Sequence, residues 1–247
     1  MSDHKPVVIL KPAPQRRDRI FTASALARLH ERFTVVDLDG DPSDDAWQNA
    51  LPEAIAVIGQ PDLDAATLAH APKLRGIFNV EGNFFPNVDY QEAFARGIRV
   101  LGCGPAYSQA VAEYSLGLAL DLARGISRED RAARVGKEKY VSEGNIGSVL
   151  LRHSNVGIIG FGNLGRALRP MLTPFSPRIR VYDPWIPAGV LVEADVEPTD
   201  LDELLRRSSF VFMFATVTSD SEHLLNARRL ALLPDGARLV LVSRAAV

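Results

Sequence analysis

Between an apolar run at residues 156–159 and a helix-compatible stretch at 164–172 the chain reads Gly160-Phe161-Gly162-Asn163-Leu164-Gly165. Few backbones accept three glycines at that spacing directly after a strand. Gly160 permits a tight strand-to-helix turn, Gly162 lets the backbone approach a pyrophosphate with no Cβ in the way, and Gly165 allows the helix to lie close on the sheet. The first N–H groups of such a helix sit at the positive end of its dipole and suit a diphosphate. The next strand, 179–182, is followed by Asp183, 18 residues past Gly165, near the interval of about 20 at which an acid meets the adenosine ribose. Asp183 is expected to accept from both ribose hydroxyls. Its charge would repel a 2′-phosphate, and neither Lys nor Arg occurs in Pro184-Trp185-Ile186-Pro187, so NAD rather than NADP is the expected cofactor. A glycine-rich turn followed by an incidental Asp is the plain alternative. A methyltransferase using S-adenosylmethionine also pairs a glycine turn with an acid after the second strand, but the full three-glycine spacing and the α/β unit upstream favour a dinucleotide.

That upstream unit shows in a regular alternation. The β-rich runs 7–10, 34–38, 54–58, 76–80 and 98–101 alternate with 22–32, 64–70 and 88–96, where apolar residues recur every three or four positions. Parallel strands need a crossover, usually a helix, so residues 1–104 are predicted to form a helix-covered parallel sheet. After Gly102-Cys103-Gly104-Pro105, residues 108–125 form one long helix candidate with only Glu113 and Asp121 as charges before Arg124; it is predicted to be buried on most sides. Residues 127–148 interleave acidic and basic side chains with three glycines and read as a partly helical surface arm. The rhythm resumes with strands 156–159, 179–182, 210–215 and 238–242 and helices 164–172, 201–206 and 227–232, a second unit of four strands within 105–247. The fold class is therefore α/β, with two doubly wound parallel-sheet domains.

Composition closes off other classes of function. The chain has 247 residues, of which 47% are hydrophobic and 23% charged, and 28 Lys and Arg against 30 Asp and Glu give a net charge of -2. Such a balance provides no field to draw it to nucleic acid or an anionic membrane. The single cysteine, Cys103, excludes an internal disulfide and multi-cysteine metal sites and fits a reducing, cytoplasmic setting; no metal is expected. Only four apolar residues follow Pro6, too few for a signal-peptide core or a membrane span.

Together these motifs resemble the D-isomer-specific 2-hydroxyacid dehydrogenase family, which includes phosphoglycerate dehydrogenase, glyoxylate/hydroxypyruvate reductases and formate dehydrogenase. The residues that carry the resemblance are Asn87-Val88-Asp89 with Gly97-Ile98 and Val100, Ala110-Val111-Ala112-Glu113, the whole of 156–165, Tyr182-Asp183-Pro184, Leu224-Leu225-Asn226 and Ser243-Arg244. The resemblance implies a flavodoxin-like substrate domain, 1–104, followed by an NAD(P)-binding Rossmann domain, 105–247, with NAD in the cleft between them. It also implies a homodimer formed through the Rossmann domain, using the helix that carries Val111-Ala112-Glu113. Arg244 matches the family's catalytic arginine. Its planar guanidinium could hold a 2-oxo acid's carboxylate and polarise the carbonyl toward hydride attack. Asn163 and Leu164 match the pair that meets the pyrophosphate, Ala215 the strand end beside the adenosine, and Val242 the residue near the nicotinamide; for Ala215 and Val242 plain strand packing is the alternative. Backbone N–H groups near Val80, Glu81 and Gly82 match those that hold the substrate carboxylate.

Several features depart from the family pattern. The family's general acid/base histidine and its partner glutamate follow the arginine, and the sequence reaches only Val247. The chain is accordingly read as an incomplete enzyme, both domains unfinished at the C-terminus and inactive on its own. Among the histidines at 4, 30, 70, 153 and 223, His153 precedes its strand and His223 belongs to a polar turn, so neither is a good substitute. The loop 79–86 is longer than usual, with Glu81 able to repel an anion and Phe84 and Phe85 either lining an apolar subsite or packing in the core. Ala245 and Leu241 replace the usual Gly and Asn. The expected function is an NAD-dependent oxidoreductase moving a hydride between nicotinamide and a 2-oxo acid or D-2-hydroxy acid. The rival is a non-catalytic NAD sensor or a degenerate relative.

Overall fold

The computed structural model describes residues 5–40, 44–82, 84–216 and 221–243. They form two compact units, Met1–Ala106 and Tyr107–Val247. In the first, β1 (Val7–Lys11), β2 (Thr34–Asp37), β3 (Ala54–Gly59), β4 (Gly76–Asn79) and β5 (Arg99–Gly102) make a sheet in the order β2-β1-β3-β4-β5. All of its pairings are parallel, and the order is the flavodoxin-like one. The helices are α1 (Arg17–Ile20), α2 (Ala23–Arg32), α3 (Asp44–Ala50), α4 (Ala65–Ala69) and α5 (Tyr90–Ala95). Asp64 and Asp89 start α4 and α5 by accepting the N–H groups of Thr67 at 2.7 Å and Glu92 at 3.0 Å, which satisfies donors a helix start leaves unpaired. One face of the sheet, with Ile9, Val57, Ile77 and Val100, packs on Leu51, Leu63, Leu68 and Leu74, each such side chain contributing about 1.5–3 kcal/mol. On the other face the cross-strand neighbours Phe78 and Leu101 are exposed.

Two further helices precede the second sheet within a long connecting segment: after α6 (Gly104–Arg124) come α7 (Ile126–Arg134) and α8 (Val141–Gly144). The segment 127–148 is thus partly helical, as its composition predicts. Helix α6 begins four residues earlier than predicted, and its burial is one-sided. Ala112, Ser115, Ala119 and Ala123 form a single buried stripe, whereas Tyr114 is 63% exposed and Leu122 47%. The low charge of α6 is therefore no sign of burial all round within one chain.

The second sheet consists of β6 (Asn155–Ile159), β7 (Arg178–Tyr182), β8 (Glu197–Pro198), β9 (Phe210–Met213) and β10 (Arg238–Leu241), ordered β10-β9-β6-β7-β8 and parallel throughout. Read from β8, the strands follow the Rossmann order 3-2-1-4-5, which reverses between β6 and β9. Helices α9 (Asn163–Leu172), α10 (Ala188–Glu193), α11 (Leu201–Arg207) and α12 (Ala227–Leu230) connect them. The unit has five strands rather than the predicted four. β8 is two residues long and contains a proline, so it has no β-branched run to announce it. It is secured by its pairing with β7 and by Arg180 Nε to Glu197 Oε2 at 3.3 Å. Asp202 on α11 joins α12 through Arg228 Nη1 at 2.7 Å and Arg229 Nε at 3.4 Å. Arg228, chiefly by hydrogen bonding, and then Arg229 hold the Asp202 carboxyl below its usual range.

Candidate functional site

The site grows from the carboxyl end of β6. Val156 and Ile158 are buried in the core, and the register places Ile159 beside Tyr182 of β7 and Met213 of β9. The next residue of each strand therefore emerges at one crest of the sheet, at the reversal where α/β folds place ligands. Gly160 has φ +90°, and a Cβ there would lie 2.8 Å from the backbone nitrogen of Ala215. Its own N–H donates to Tyr182 O at 2.9 Å. A Cβ at Gly165 would lie 2.8 Å from Gly160 O, so helix and turn are in contact through the missing side chain. Gly162 faces open space and provides no side-chain cap for α9, whose first N–H groups lack intrahelical partners. Gly160 and Gly165 thus have the mechanical settings their spacing predicts, and Gly162 leaves its side of the turn open.

Asp183 is tied directly to this turn. Its Oδ2 accepts Phe161 N–H at 2.7 Å, and its Oδ1 accepts the N–H groups of Trp185 at 2.9 Å and Ile186 at 3.2 Å. A carboxylate offers about four lone-pair sites, so with three in use one acceptor position remains for a ribose hydroxyl. Acceptance from both hydroxyls would require releasing an amide. The crest thus fits a dinucleotide: an uncapped helix start for the diphosphate, and beside it a carboxylate with one open position. Asn163 is exposed, and Leu164 is half-buried against the core. Ala215 and Val242 follow β9 and β10, and each packs on a hydrophobic cluster while staying half-exposed. Trp185, whose amide is held by Asp183, is 76% exposed.

In the first unit Val80 is buried, Glu81 half-buried and Gly82 exposed just after β4. Glu81 O accepts Cys103 N–H at 3.0 Å. Burial pushes the Cys103 thiol's pKa up. Phe84 is 55% exposed and meets the Tyr90 ring edge-on at 6.1 Å, so it is not a core residue. Sequence reasoning passed over the buried Asn79 and the half-buried Gln60 and Asn87 near this loop, since isolated Asn and Gln residues carry no spacing signal. Arg244 and Ala245, and most of the polar turn before His223, lie outside the described residues. His153 and His223 are both exposed with positive φ. Among the described residues no cluster of three His, Cys, Asp or Glu could hold a metal ion, and no helix is long and apolar enough to cross a membrane.

Comparison with known proteins agrees with this fold. The structure superposes on that of a phosphoglycerate oxidoreductase from Rhizobium etli with a TM-score of 0.81 and 44% identity, covering 98% of this chain and 74% of that one. Hydroxypyruvate reductase of Thermotoga maritima is 31% identical over 202 residues, which is 81% of this chain. D-3-phosphoglycerate dehydrogenase of Mycobacterium bovis is 28% identical over 223 residues, or 90% of this chain. The chain spans 64% of the length of the first of these two enzymes and 41% of the second. Residues 116–247 match the model of the D-isomer specific 2-hydroxyacid dehydrogenase NAD-binding domain, which encloses the glycine turn, Asp183 and all five strands of the second sheet. The chain therefore belongs to the D-isomer specific 2-hydroxyacid dehydrogenase family and carries its NAD-binding domain.

Proposed function

We propose that this protein reduces a 2-oxo acid with NADH, or oxidises the matching D-2-hydroxy acid with NAD. The observation that carries the reading is the crest of the second sheet, where an uncapped helix start and the Asp183 carboxylate meet at the strand-order reversal in a chain of this family. Bound cofactor supplies or takes up the hydride at nicotinamide C4. The proton that the carbonyl oxygen takes up would come from a general acid, which the family resemblance places C-terminal to Arg244; the residues of this chain bind, orient and supply charge. N–H groups at Asn163 and Leu164 bind the diphosphate, Asp183 accepts from the ribose and disfavours a 2′-phosphate, and Ala215 and Val242 border adenosine and nicotinamide. Arg244 holds the substrate carboxylate and polarises the carbonyl, so that negative charge building on its oxygen is met by a fixed cation. Backbone N–H groups around Val80, Glu81 and Gly82 take the remaining carboxylate oxygen.

A cytoplasmic homodimer completes the proposal. The single cysteine supports the compartment, and the exposed Tyr114 and Leu122 on α6 support the interface. A non-catalytic sensor has no observation in its favour: the family match and the relatives cited are of dehydrogenases and reductases. The test is a panel of 2-oxo acids, glyoxylate and hydroxypyruvate among them, assayed with NADH on the full-length protein and on Arg244→Ala. We expect turnover that falls by orders of magnitude in the variant while NADH affinity stays nearly unchanged. Equal turnover in the two proteins, or none in the parent, overturns the proposal.

A further inference from the structure

The loop after β4 is fastened near both of its ends by one phenol. Tyr90 is the first residue of α5, where Asp89 accepts Glu92 N–H at 3.0 Å and fixes the helix start. Its hydroxyl donates to Phe85 O, late in the loop, and hydrogen-bonds the side chain of Asn79, the last residue of β4 and 0% exposed. A hydroxyl has one donor and two acceptor positions, so with its proton on Phe85 O it accepts from Asn79 Nδ2. Asn79 Oδ1 in turn lies 3.5 Å from Asn87 Nδ2, which also donates to Pro61 O at 3.1 Å. The Tyr90 ring meets Phe84 edge-on at 6.1 Å and Phe94 at a tilt, also at 6.1 Å.

Between these anchors the backbone rests on the end of β5. Glu81 O accepts Cys103 N–H at 3.0 Å, and a Cβ at Gly102 would lie 3.3 Å from the same oxygen, so the approach is close. A trans peptide sets its N–H opposite its carbonyl, and the Glu81–Gly82 peptide is trans. It therefore turns the Gly82 N–H away from Cys103. That orientation depends on the loop keeping its span, since release of Phe85 O would return conformational freedom to residues 80–84. We infer that Tyr90 is a positioning residue: by tying Asn79 to Phe85 O, its hydroxyl holds the Glu81–Gly82 peptide so that Gly82 N–H meets the carboxylate of a 2-oxo acid. The clamp stands on the hydrogen bonds alone, whereas its effect on substrate rests on the proposed reading of that backbone.

The test is hydrogen exchange and steady-state kinetics on the full-length protein and on Tyr90→Phe, which keeps the ring contacts and removes only the hydroxyl. Exchange at Glu81, Gly82 and Phe84 should speed about tenfold, because a lost hydrogen bond shifts a local opening equilibrium by up to about that factor. KM for the 2-oxo acid should rise about tenfold, with kcat and NADH affinity within about twofold, and inhibition by oxamate, a 2-oxo acid analogue, should weaken by the same factor as KM. Asn79→Ala removes the donor on the other side of the hydroxyl and should act in the same direction. The double variant should cost no more than about twofold beyond the larger single change, and Tyr90→Phe decides alone if Asn79→Ala does not fold. Phe94→Leu strips a ring contact from Tyr90 but leaves the hydroxyl, so loop exchange and KM should stay within about twofold of the parent. Loop exchange or KM unmoved in Tyr90→Phe overturns the inference. So does a Phe94→Leu variant that reproduces its effects, because ring packing would then hold the loop. If the parent turns over no 2-oxo acid, the proposed function falls, while exchange in Tyr90→Phe still decides whether the clamp exists.

Discussion

Gly160 and Asp183 act on the same few atoms of backbone, one through the lack of a side chain and the other through the hydrogen bonds of its own. A methyl group at Gly160 would press on Ala215 while holding φ at +90°, so Gly160→Ala should lower stability by about 2–3 kcal/mol. Urea unfolding measures this, and a loss below about 0.5 kcal/mol would show that the turn adapts freely. Asp183→Asn keeps the shape but removes the charge. It should weaken NADH about tenfold and shift the NADPH-to-NADH affinity ratio toward NADPH by more than that. An unchanged ratio would remove Asp183 from the ribose. Both residues were legible in the sequence because the chemistry demands them at a set distance along the chain. The amide bonds from Phe161, Trp185 and Ile186 to Asp183 were not legible, since they depend on how the turn folds back. Asn79 and Asn87 escaped for a related reason: they meet only through a loop closure.

Elements reveal themselves when their residues repeat. The buried strands β6 and β9 are continuous apolar runs, and their positions follow from sequence within two residues. β8, with its Glu-Pro pair, and the short helices α1, α3 and α10 were missed, because tertiary contacts rather than intrinsic pattern select them. Helix α6 shows the opposite failure, since apolar composition alone does not say which face is covered by its own chain. If its outward face joins two protomers, Tyr114→Glu with Leu122→Glu should convert a dimer to a monomer in sedimentation, and a persisting dimer would place the interface elsewhere. The junction of α11 and α12 gives a pH-dependent prediction. Because the folded-state pKa of Asp202 lies below its unfolded value, the junction stabilises the fold above about pH 4 and loses that contribution as pH falls through the lowered pKa. Asp202→Asn should therefore be less stable than the parent at neutral pH. The gap should close on acidification, and a gap independent of pH would show that Asp202 contributes little by its charge.

At the scale of the molecule, two sheets of different strand order sit in one chain, and only the second carries the glycine turn. Saturation with NADH at about one hundred times its Kd should stabilise the cofactor-binding fold by about 2.7 kcal/mol. In hydrogen exchange the added protection should centre on residues 160–165 and 183–186, and protection confined to other segments would move the nucleotide away from the crest. The general architecture was legible because strand and helix periods alternate along the whole chain. Which strand neighbours which was not, since order in a sheet is a long-range property that local pattern does not encode. Trp185, largely open to solvent on the Asp183 turn, and Trp47, shut inside the first unit, are the two indoles of the chain. Their emission should differ in colour, and that of Trp185 overlaps the absorption of reduced nicotinamide, so the protein has a built-in optical reporter. Quenching of the redder component would follow cofactor arrival in real time without any added label.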